Sequence, residues 1–176
     1  NDFITAFWEA PLCQPIDEVI SVELGAYIVA NEQKLTLLHQ ARHKPHTRYP
    51  SPELNYAVQE NYPHHDKVVL ATHLLIIEAW WAIGQQDSTL ATDAILAAIR
   101  TVESLREEPA LSSQWYRLYS HGSLATALVK MLCLNQFTDT QLLLLSHAFS
   151  AAEDPQAWTN ALIGTRAYTL QAYESP

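Results

Sequence analysis

Glycine is scarce in this chain, and its scarcity limits which folds and nucleotide-binding motifs the chain can contain. The 176 residues include four glycines, at positions 25, 84, 122 and 164. A phosphate-binding loop needs two glycines five positions apart followed by lysine, and a dinucleotide-binding turn needs three closely spaced glycines. Neither spacing occurs here. Because a β-sandwich or barrel also uses many glycine turns, the sequence argues against an all-β fold.

Apolar residues instead recur three or four positions apart, which is the spacing of a helix that buries one face. The first such segment runs from Ile16 to about His43. Asn31 lies on its apolar stripe, where it is either buried and hydrogen-bonded within one helix or the N-cap of a second helix. The other predicted helices cover about residues 53–60, 64–83, 89–107, 110–134, 139–152 and 155–173.

Capping signals separate these helices from one another. Thr138 and Gln141 fit a capping box, and Asp154 before Pro155 is typical of a helix start. Short links favour antiparallel neighbours, and residues 70–105 have the pattern of a helical hairpin that can stack in a solenoid. We therefore predict an all-α fold, an antiparallel bundle or array of six or seven helices, with solenoid-like hairpins as one form of it.

The predicted domain organisation has two parts. Residues 1–15 contain Pro11 and Pro15 and are predicted as an extended lead-in with room for one short helix. Residues 16–173 are predicted as a single helical domain. Because the chain begins with Asn1 rather than methionine, we expect it to be a fragment or a processed form of a longer protein.

The charge balance restricts the partners of the chain. The formal net charge is −9 with 10 Lys and Arg residues, so we expect no binding to nucleic acid or anionic lipid, which needs a basic face. The apolar stretch Val68–Ile83 contains His73 and Glu78 and is predicted to be too short and too polar to cross a bilayer. Charged residues make up 16% of the chain, below the usual quarter. That low fraction indicates a surface covered by a protein partner or by an adjacent domain of the same chain.

Five short motifs carry a family resemblance. They are ANEQKL at residues 30–35, RYP at 48–50, YPHHDKV at 62–68, EPALSSQWYR at 108–117 and GTRA at 164–167. Over residues 25–167 the chain resembles an uncharacterised family of planctomycete cell-envelope proteins, with Thr165 in place of an acidic residue. The resemblance implies a helical, repeat-like body outside the cytoplasm and no assigned activity. It also implies structural or partner contacts at its polar positions, which are Asn31, Gln114, Arg117 and Arg166.

Histidines form the candidate metal site. His39 and His43 stand four residues apart on one predicted helix face, and His46 follows them. Two imidazoles at this spacing can chelate zinc, nickel or copper. His64 or His65, at the start of a later helix, completes the site if the proline-rich connector folds back. The alternative is that these histidines are solvated or cap helices, because the sequence has no H-E-x-x-H motif.

Two further features have both a chemical and a structural interpretation. Glu78 lies within an apolar helix, so it is either a general base with a raised pKa, the partner of Arg100 or Arg117 in a buried ion pair, or a residue at the rim of the core. Cys13 and Cys133 either form a disulfide that closes a loop of about 120 residues or are unrelated, with Cys133 a small buried hydrophobe.

These observations lead to three hypotheses about function. Because no catalytic or cofactor motif is present, the first is a non-enzymatic helical scaffold or protein-interaction domain. The second is a metal-binding or metal-dependent enzyme domain that uses the histidines to hold zinc. The third is a small-ligand sensor with a groove lined by aromatic residues. Apart from zinc in the second hypothesis, we expect no cofactor.

Overall fold

The computed structural model describes residues 2–44, 47, 49, 62–134 and 136–174, and every regular element in these residues is an α-helix. The all-α prediction is therefore confirmed. The predicted helix at 53–60 lies outside the described residues. The helices are α1 (Asp2–Glu9), α2 (Glu18–Ala30), α3 (Glu32–Ala41), α4 (Pro63–Gly84), α5 (Ser88–Glu103), α6 (Leu111–Leu132), α7 (Asp139–Ala152) and α8 (Pro155–Glu174).

Asn31 divides the first predicted helix into two. It follows the last residue of α2 and precedes α3, with φ −111° and ψ 11°. Its side-chain nitrogen donates to the Tyr27 carbonyl at 2.9 Å, and its side-chain oxygen accepts from Lys34 Nζ at 2.9 Å. A second helix therefore begins after Asn31, but the side chain bonds to the last turn of α2 and to a lysine rather than capping the backbone of α3.

The predicted lead-in contains the helix α1. Phe7 of α1 is fully buried, with its ring centroid 5.1 Å from that of Trp80 in α4. The last carbonyls of a helix have no partner within it, and a cation at this end satisfies them. Lys130 of α6 does so here, because its Nζ donates at 2.7–2.8 Å to the carbonyls of Phe7, Trp8 and Ala10. Packing on α4 and α6 thus makes this segment helical.

The helices are arranged in two rows. In one row α2, α4, α6 and α8 contact each other in sequence, and in the other α3, α5 and α7 do so. The helices α4 and α5 form the closest antiparallel pair and link the two rows. Neighbouring helices within each row therefore pack on one another, as neighbouring units do in stacked helical proteins, with α4 and α5 as the central hairpin.

The helix α4 lies at the centre of this array. It contacts α1, α2, α3, α5 and α6, which explains why its sequence is apolar nearly all round. By length and composition alone α4, which is longer than the stretch Val68–Ile83, is long and apolar enough to cross a membrane. The prediction that this segment does not insert into a membrane stays a prediction. In this structure, however, 61% of its apolar window is buried by the rest of the protein.

Two close approaches between segments occur at glycine. A Cβ atom built on Gly84 would lie 2.7 Å from Ile16 Cδ1, which is the mobile end of a side chain. A Cβ atom built on Gly164 would overlap the Pro109 carbonyl oxygen and lie 2.6 Å from Pro109 Cβ. The second contact involves backbone that cannot rotate away, so α8 packs against the loop before α6 at a distance that glycine alone permits.

Gly164→Ala is therefore expected to lower the free energy of unfolding by about 1–3 kcal/mol through overpacking. Gly122→Ala is the matched control, because nothing lies within 4 Å of a Cβ atom at that helical position. There alanine should raise the free energy of unfolding by about 0.5–1 kcal/mol. Urea unfolding measures both changes, and equal effects at the two positions would contradict the close approach to Pro109.

Candidate functional site

The structure separates the predicted histidine site into two places. His39 lies on α3, and its Nε2 is 2.8 Å from Glu78 Oε2 in the second half of α4. His64 and His65 lie in the first turn of α4. At 1.5 Å per residue, this turn is about 20 Å along the helix from Glu78. One ion therefore cannot bind His39 together with His64 or His65.

His64 and His65 come together with Glu108, which lies in the loop between α5 and α6. One candidate ligand atom from each of the three side chains lies within 4.8 Å of the others. His64 Nε2 is 2.7 Å from Glu108 Oε1, and His65 Nε2 is 3.4 Å from Glu108 Oε2. His65 is buried, and the other two residues are half-buried. These three residues are called the histidine–glutamate cluster below.

Ser113 of α6 connects two members of the cluster. Its Oγ donates to Glu108 Oε2 at 2.5 Å and lies 2.8 Å from His65 Nε2. Because a hydroxyl carries one proton, His65 Nε2–H is the donor in the second bond. Burial would raise the pKa of Glu108, but the hydrogen bonds with His65 and Ser113 outweigh burial and lower that pKa. The Glu108 carboxylate is therefore ionised at neutral pH.

Aromatic rings enclose the two histidines of the cluster. Tyr49 stacks on His64 with ring centroids 4.1 Å apart and planes 2° apart. Tyr116 of α6 packs against His65 with centroids 4.6 Å apart. Tyr62, immediately before α4, contacts both imidazoles. These contacts restrict the rotation of the imidazole rings and hold them at fixed orientations.

Sequence analysis missed the partners of these two histidines. Glu108, Ser113 and Tyr49 have no local spacing that connects them with residues 64 and 65. The available signal was the predicted hairpin over residues 70–105. In an antiparallel hairpin the start of the first helix lies beside the end of the second, so a carboxylate just after residue 105 was a candidate neighbour.

Gln114 holds the loop that carries Glu108. It is buried in α6, and its predicted polar contact is made inside the protein. Its Nε2 lies 3.1–3.3 Å from three backbone carbonyls, which belong to Leu105, Arg106 and Glu108. Carbonyls just beyond a helix lack partners within it, so this amide satisfies the end of α5 and fixes the backbone of Glu108.

Arg117 makes the second buried polar contact of α6. Its Nε and Nη2 donate to Glu103 at 2.8 and 3.1 Å, and Nη2 also donates to the carbonyl of Ala152. His121 Nε2 lies 2.7 Å from the same carboxylate. Burial would raise the pKa of Glu103, but hydrogen bonds with His121 and Arg117 lower it. This network joins α5, α6 and α7, whereas the predicted polar residue Arg166 is exposed on α8.

The other histidines surround a separate cleft. His39 and Glu78 line a cleft of about 780 Å³ among α2, α3, α4 and α5. His43 is exposed at its rim, in the turn after α3, and His46 lies outside the described residues. The partner of Glu78 is His39, so the predicted pairing of this carboxylate with an arginine is not seen.

The sensor hypothesis predicted a groove lined by aromatic residues. A groove of about 520 Å³ that includes two aromatic residues lies between α6, α7 and α8. Phe149 and Trp158 form part of its wall, beside Leu118. The polar groups at its base include Arg117 and His121, which already bond to Glu103. The groove therefore has few polar groups left to orient a small ligand, and the sensor hypothesis stays a prediction.

The two cysteines are free thiols that interact with each other. Both Cys13 and Cys133 are exposed. A hydrogen bond with Cys133 raises the pKa of the Cys13 thiol. The structure contains no disulfide between them, and Cys133 is not the predicted buried hydrophobe because it lies at the C-terminal cap of α6.

The Arg117–Glu103 contact should stabilise the fold through burial. Arg117→Met leaves the Glu103 carboxylate without its bidentate partner, and we expect the free energy of unfolding to fall by about 3 kcal/mol. Arg106→Met is the control, because the Arg106 side chain is 42% exposed and that of Arg117 is 6% exposed. Removing the exposed pair with Asp154, together with the longer 3.9 Å contact between Arg106 Nη1 and Glu103 Oε2, should cost about 1 kcal/mol or less. Similar losses in urea unfolding would show that burial of Arg117 is not decisive.

The His39–Glu78 pair should make stability depend on pH. The hydrogen bond with Glu78 raises the pKa of His39 above its ordinary value of 6.5. A raised folded pKa gives stabilisation that is fully present below the unfolded pKa and is lost as pH rises through the folded pKa. We expect His39→Gln to remove this fall in stability above pH 6.5 in urea titrations at several pH values.

His73→Gln should change the pH dependence of stability in the opposite direction from His39→Gln. Burial lowers the pKa of His73 below its ordinary value of 6.5, so this imidazole costs stability when the pH falls below the unfolded pKa. The His73 variant should therefore be less sensitive to acid than the wild type. A His39 variant with the wild-type pH profile would show that the pair with Glu78 does not hold a charge in solution.

Comparison of the chain with protein-family models, with curated proteins and with solved structures found no match. The planctomycete resemblance therefore depends on the short motifs alone and stays a prediction.

Two of the motifs that carry the resemblance contact each other in the structure. Gly164 lies against Pro109, and Thr165 Oγ1 accepts a hydrogen bond from the Leu111 N–H at 3.0 Å. These two motifs thus form one packing contact between α8 and the start of α6.

Proposed function

We propose that this chain is a non-enzymatic protein-interaction module whose helix α8 binds an apolar helix of a partner protein or of an adjacent domain. The orientation of α8 carries this proposal. Its small residues Ala157 and Ala161 are buried, and Gly164 faces Pro109. Its large apolar side chains are more than half exposed: Leu162 57%, Ile163 63%, Leu170 51% and Tyr173 86%.

On α8 large apolar side chains are exposed together with polar ones such as Asn160 and Arg166, whereas a surface helix normally exposes mainly polar residues. Such a helix turns its large apolar residues inward and its polar residues outward. Single exposed apolar side chains need no explanation, but a contiguous apolar surface marks an interaction site. Ile163, Leu170 and Tyr173 recur at helical spacing along α8, with Arg166 and Ala167 exposed between the first two. They form a stripe that is suited to the apolar face of another helix.

The position of α8 in the array supports the same conclusion. The helix α8 packs mainly on α6, and α7 packs mainly on α5, so each is the last helix of its row. Leu143 and Leu144 of α7 are also at least half exposed. In stacked helical proteins a further unit or a polar cap covers the last pair of helices.

The family resemblance supports placing this module in the cell envelope, outside the cytoplasm. The net charge of −9 supports protein rather than nucleic acid as the partner, since nucleic-acid binding needs clustered basic residues. Within the proposal, Gln114 and Arg117 have a structural role. Both side chains are buried and bond to neighbouring loops and helices, so they hold the surface that α8 presents without touching the partner.

Self-association is a direct assay of this surface. At high concentration the exposed stripe of α8 can pair with α8 of a second copy, although the net charge of −9 opposes the approach. At 1 M salt the Debye length falls to about 3 Å, so the charge repulsion between two copies is largely screened. Salt does not weaken the burial of apolar side chains. We expect sedimentation velocity to show association that increases with protein and salt concentration. The triple variant Leu162→Gln, Ile163→Gln, Leu170→Gln should stay monomeric.

The variants also distinguish an interaction surface from part of the core. Because the three side chains are exposed, each substitution should change the free energy of unfolding by about 0.5 kcal/mol or less. The control is Val22→Gln with Val29→Gln, which replaces exposed apolar residues of α2 and should leave association unchanged. A wild-type chain that is monomeric at every salt concentration, or a triple variant that associates normally, would contradict the proposal.

A further inference from the structure

We infer that the histidine–glutamate cluster binds a divalent transition-metal ion of the zinc class. This function goes beyond the interaction surface of α8 and depends on different residues. A zinc ion about 2.0–2.1 Å from each ligand places its ligands about 3.3 Å apart. The candidate atoms of His64, His65 and Glu108 lie within 4.8 Å of one another. Small side-chain rotations therefore bring all three to one ion.

Two nitrogen atoms of the cluster are buried without a hydrogen-bond partner, His64 Nε2 and His65 Nδ1. His64 Nε2 faces Glu108 Oε1 at 2.7 Å, so this nitrogen already lies beside the carboxylate with which it would share the ion. His65 donates through Nε2 to Ser113, so in the neutral imidazole Nδ1 carries the lone pair. Buried polar atoms without partners are uncommon, and the lone pair of an imidazole is the group that binds a metal ion.

The residues around the cluster hold the ligands in position. Ser113 accepts from His65 and donates to Glu108, and the ring of Tyr49 lies parallel to His64. Gln114 donates to the backbone carbonyl of Glu108 at 3.3 Å. Hydrogen bonds that orient the ligand side chains are a regular feature of metal sites and strengthen metal binding. The cluster is thus largely organised before an ion binds.

The chemistry of the donor set selects the class of metal. Two imidazole nitrogens and one carboxylate suit zinc and its neighbours, whereas calcium and magnesium prefer oxygen ligands. The start of α4 carries the positive end of the helix dipole, and the Glu108 carboxyl group lies beside it. His64 and Glu108 are half-buried, so an ion can enter from solvent. Three ligands from the described residues leave one tetrahedral position for water, as in catalytic zinc sites.

Titration calorimetry of the untagged full chain with zinc chloride tests this inference, with cobalt(II) as a coloured substitute. We expect one ion per chain and a visible absorption band for tetrahedral cobalt. His64→Gln and Glu108→Gln should each weaken zinc binding by more than about 100-fold. Ser113→Ala should weaken it by about 10-fold, because it removes a hydrogen bond to a ligand rather than a ligand.

His39→Gln is the matched control, because it removes a histidine that also lies 2.8 Å from a carboxylate but belongs to the other cleft. This variant should bind zinc as the wild type does. Circular dichroism melting curves check that each variant is folded. We expect His64→Gln and Glu108→Gln to fold, because the two replaced side chains are only half-buried. A wild-type chain without saturable zinc binding, unchanged affinity in both ligand variants, or loss of binding in His39→Gln would overturn the inference.

Discussion

The burial of α4 is the constraint on which the rest of the structure depends. Leu75, Ile76 and Ile77 are consecutive residues and all are at most 1% exposed. Consecutive side chains on a helix point in directions about 100° apart, so one neighbouring helix cannot cover all three. Helices from both rows and the short α1 therefore surround α4. The two-row array follows from the need to cover this helix on every side.

Buried polar groups determine how the covering helices end and connect. Lys130 satisfies carbonyls at the end of α1, Gln114 satisfies those after α5, and Arg117 reaches the end of α7. A buried ion pair contributes little net stability compared with apolar residues of similar size. The contribution of the Arg117–Glu103 pair here is geometric, because it ties α5, α6 and α7 together. The neighbouring Gln114 fixes the loop that places Glu108 beside the two histidines.

Sequence periodicity predicted most of the fold because it reports local structure. The capping box at Thr138 is formed as predicted, and α8 starts at Pro155, since both signals depend on neighbouring residues. The lead-in was predicted as extended with room for one short helix, and the structure contains that helix as α1. Its position depends on the distant contacts of Phe7 and Lys130, which local periodicity does not report. The break at Asn31 was one of two alternatives, and propensity alone does not choose between them.

The candidate site was only half predictable from the sequence for the same reason. His64 and His65 were identified as candidate ligands from residue type alone. Their grouping with His39 was based on a connector folding back, whereas α4 separates these histidines along its length. Glu108 and Ser113 reach the site because α5 runs antiparallel to α4, so the third ligand follows from helix pairing rather than from motif spacing.

The small side chains on the buried face of α8 affect how easily this helix moves. Ala157 and Ala161 bury little apolar area, so α8 is held less firmly than α4, whose large side chains are covered on all sides. Local opening in proteins begins where few apolar contacts oppose it. The end of the array can therefore loosen while the centre stays folded. A helix that covers Leu162 and Ile163 would add the missing contacts, so binding there and rigidity of α8 would increase together.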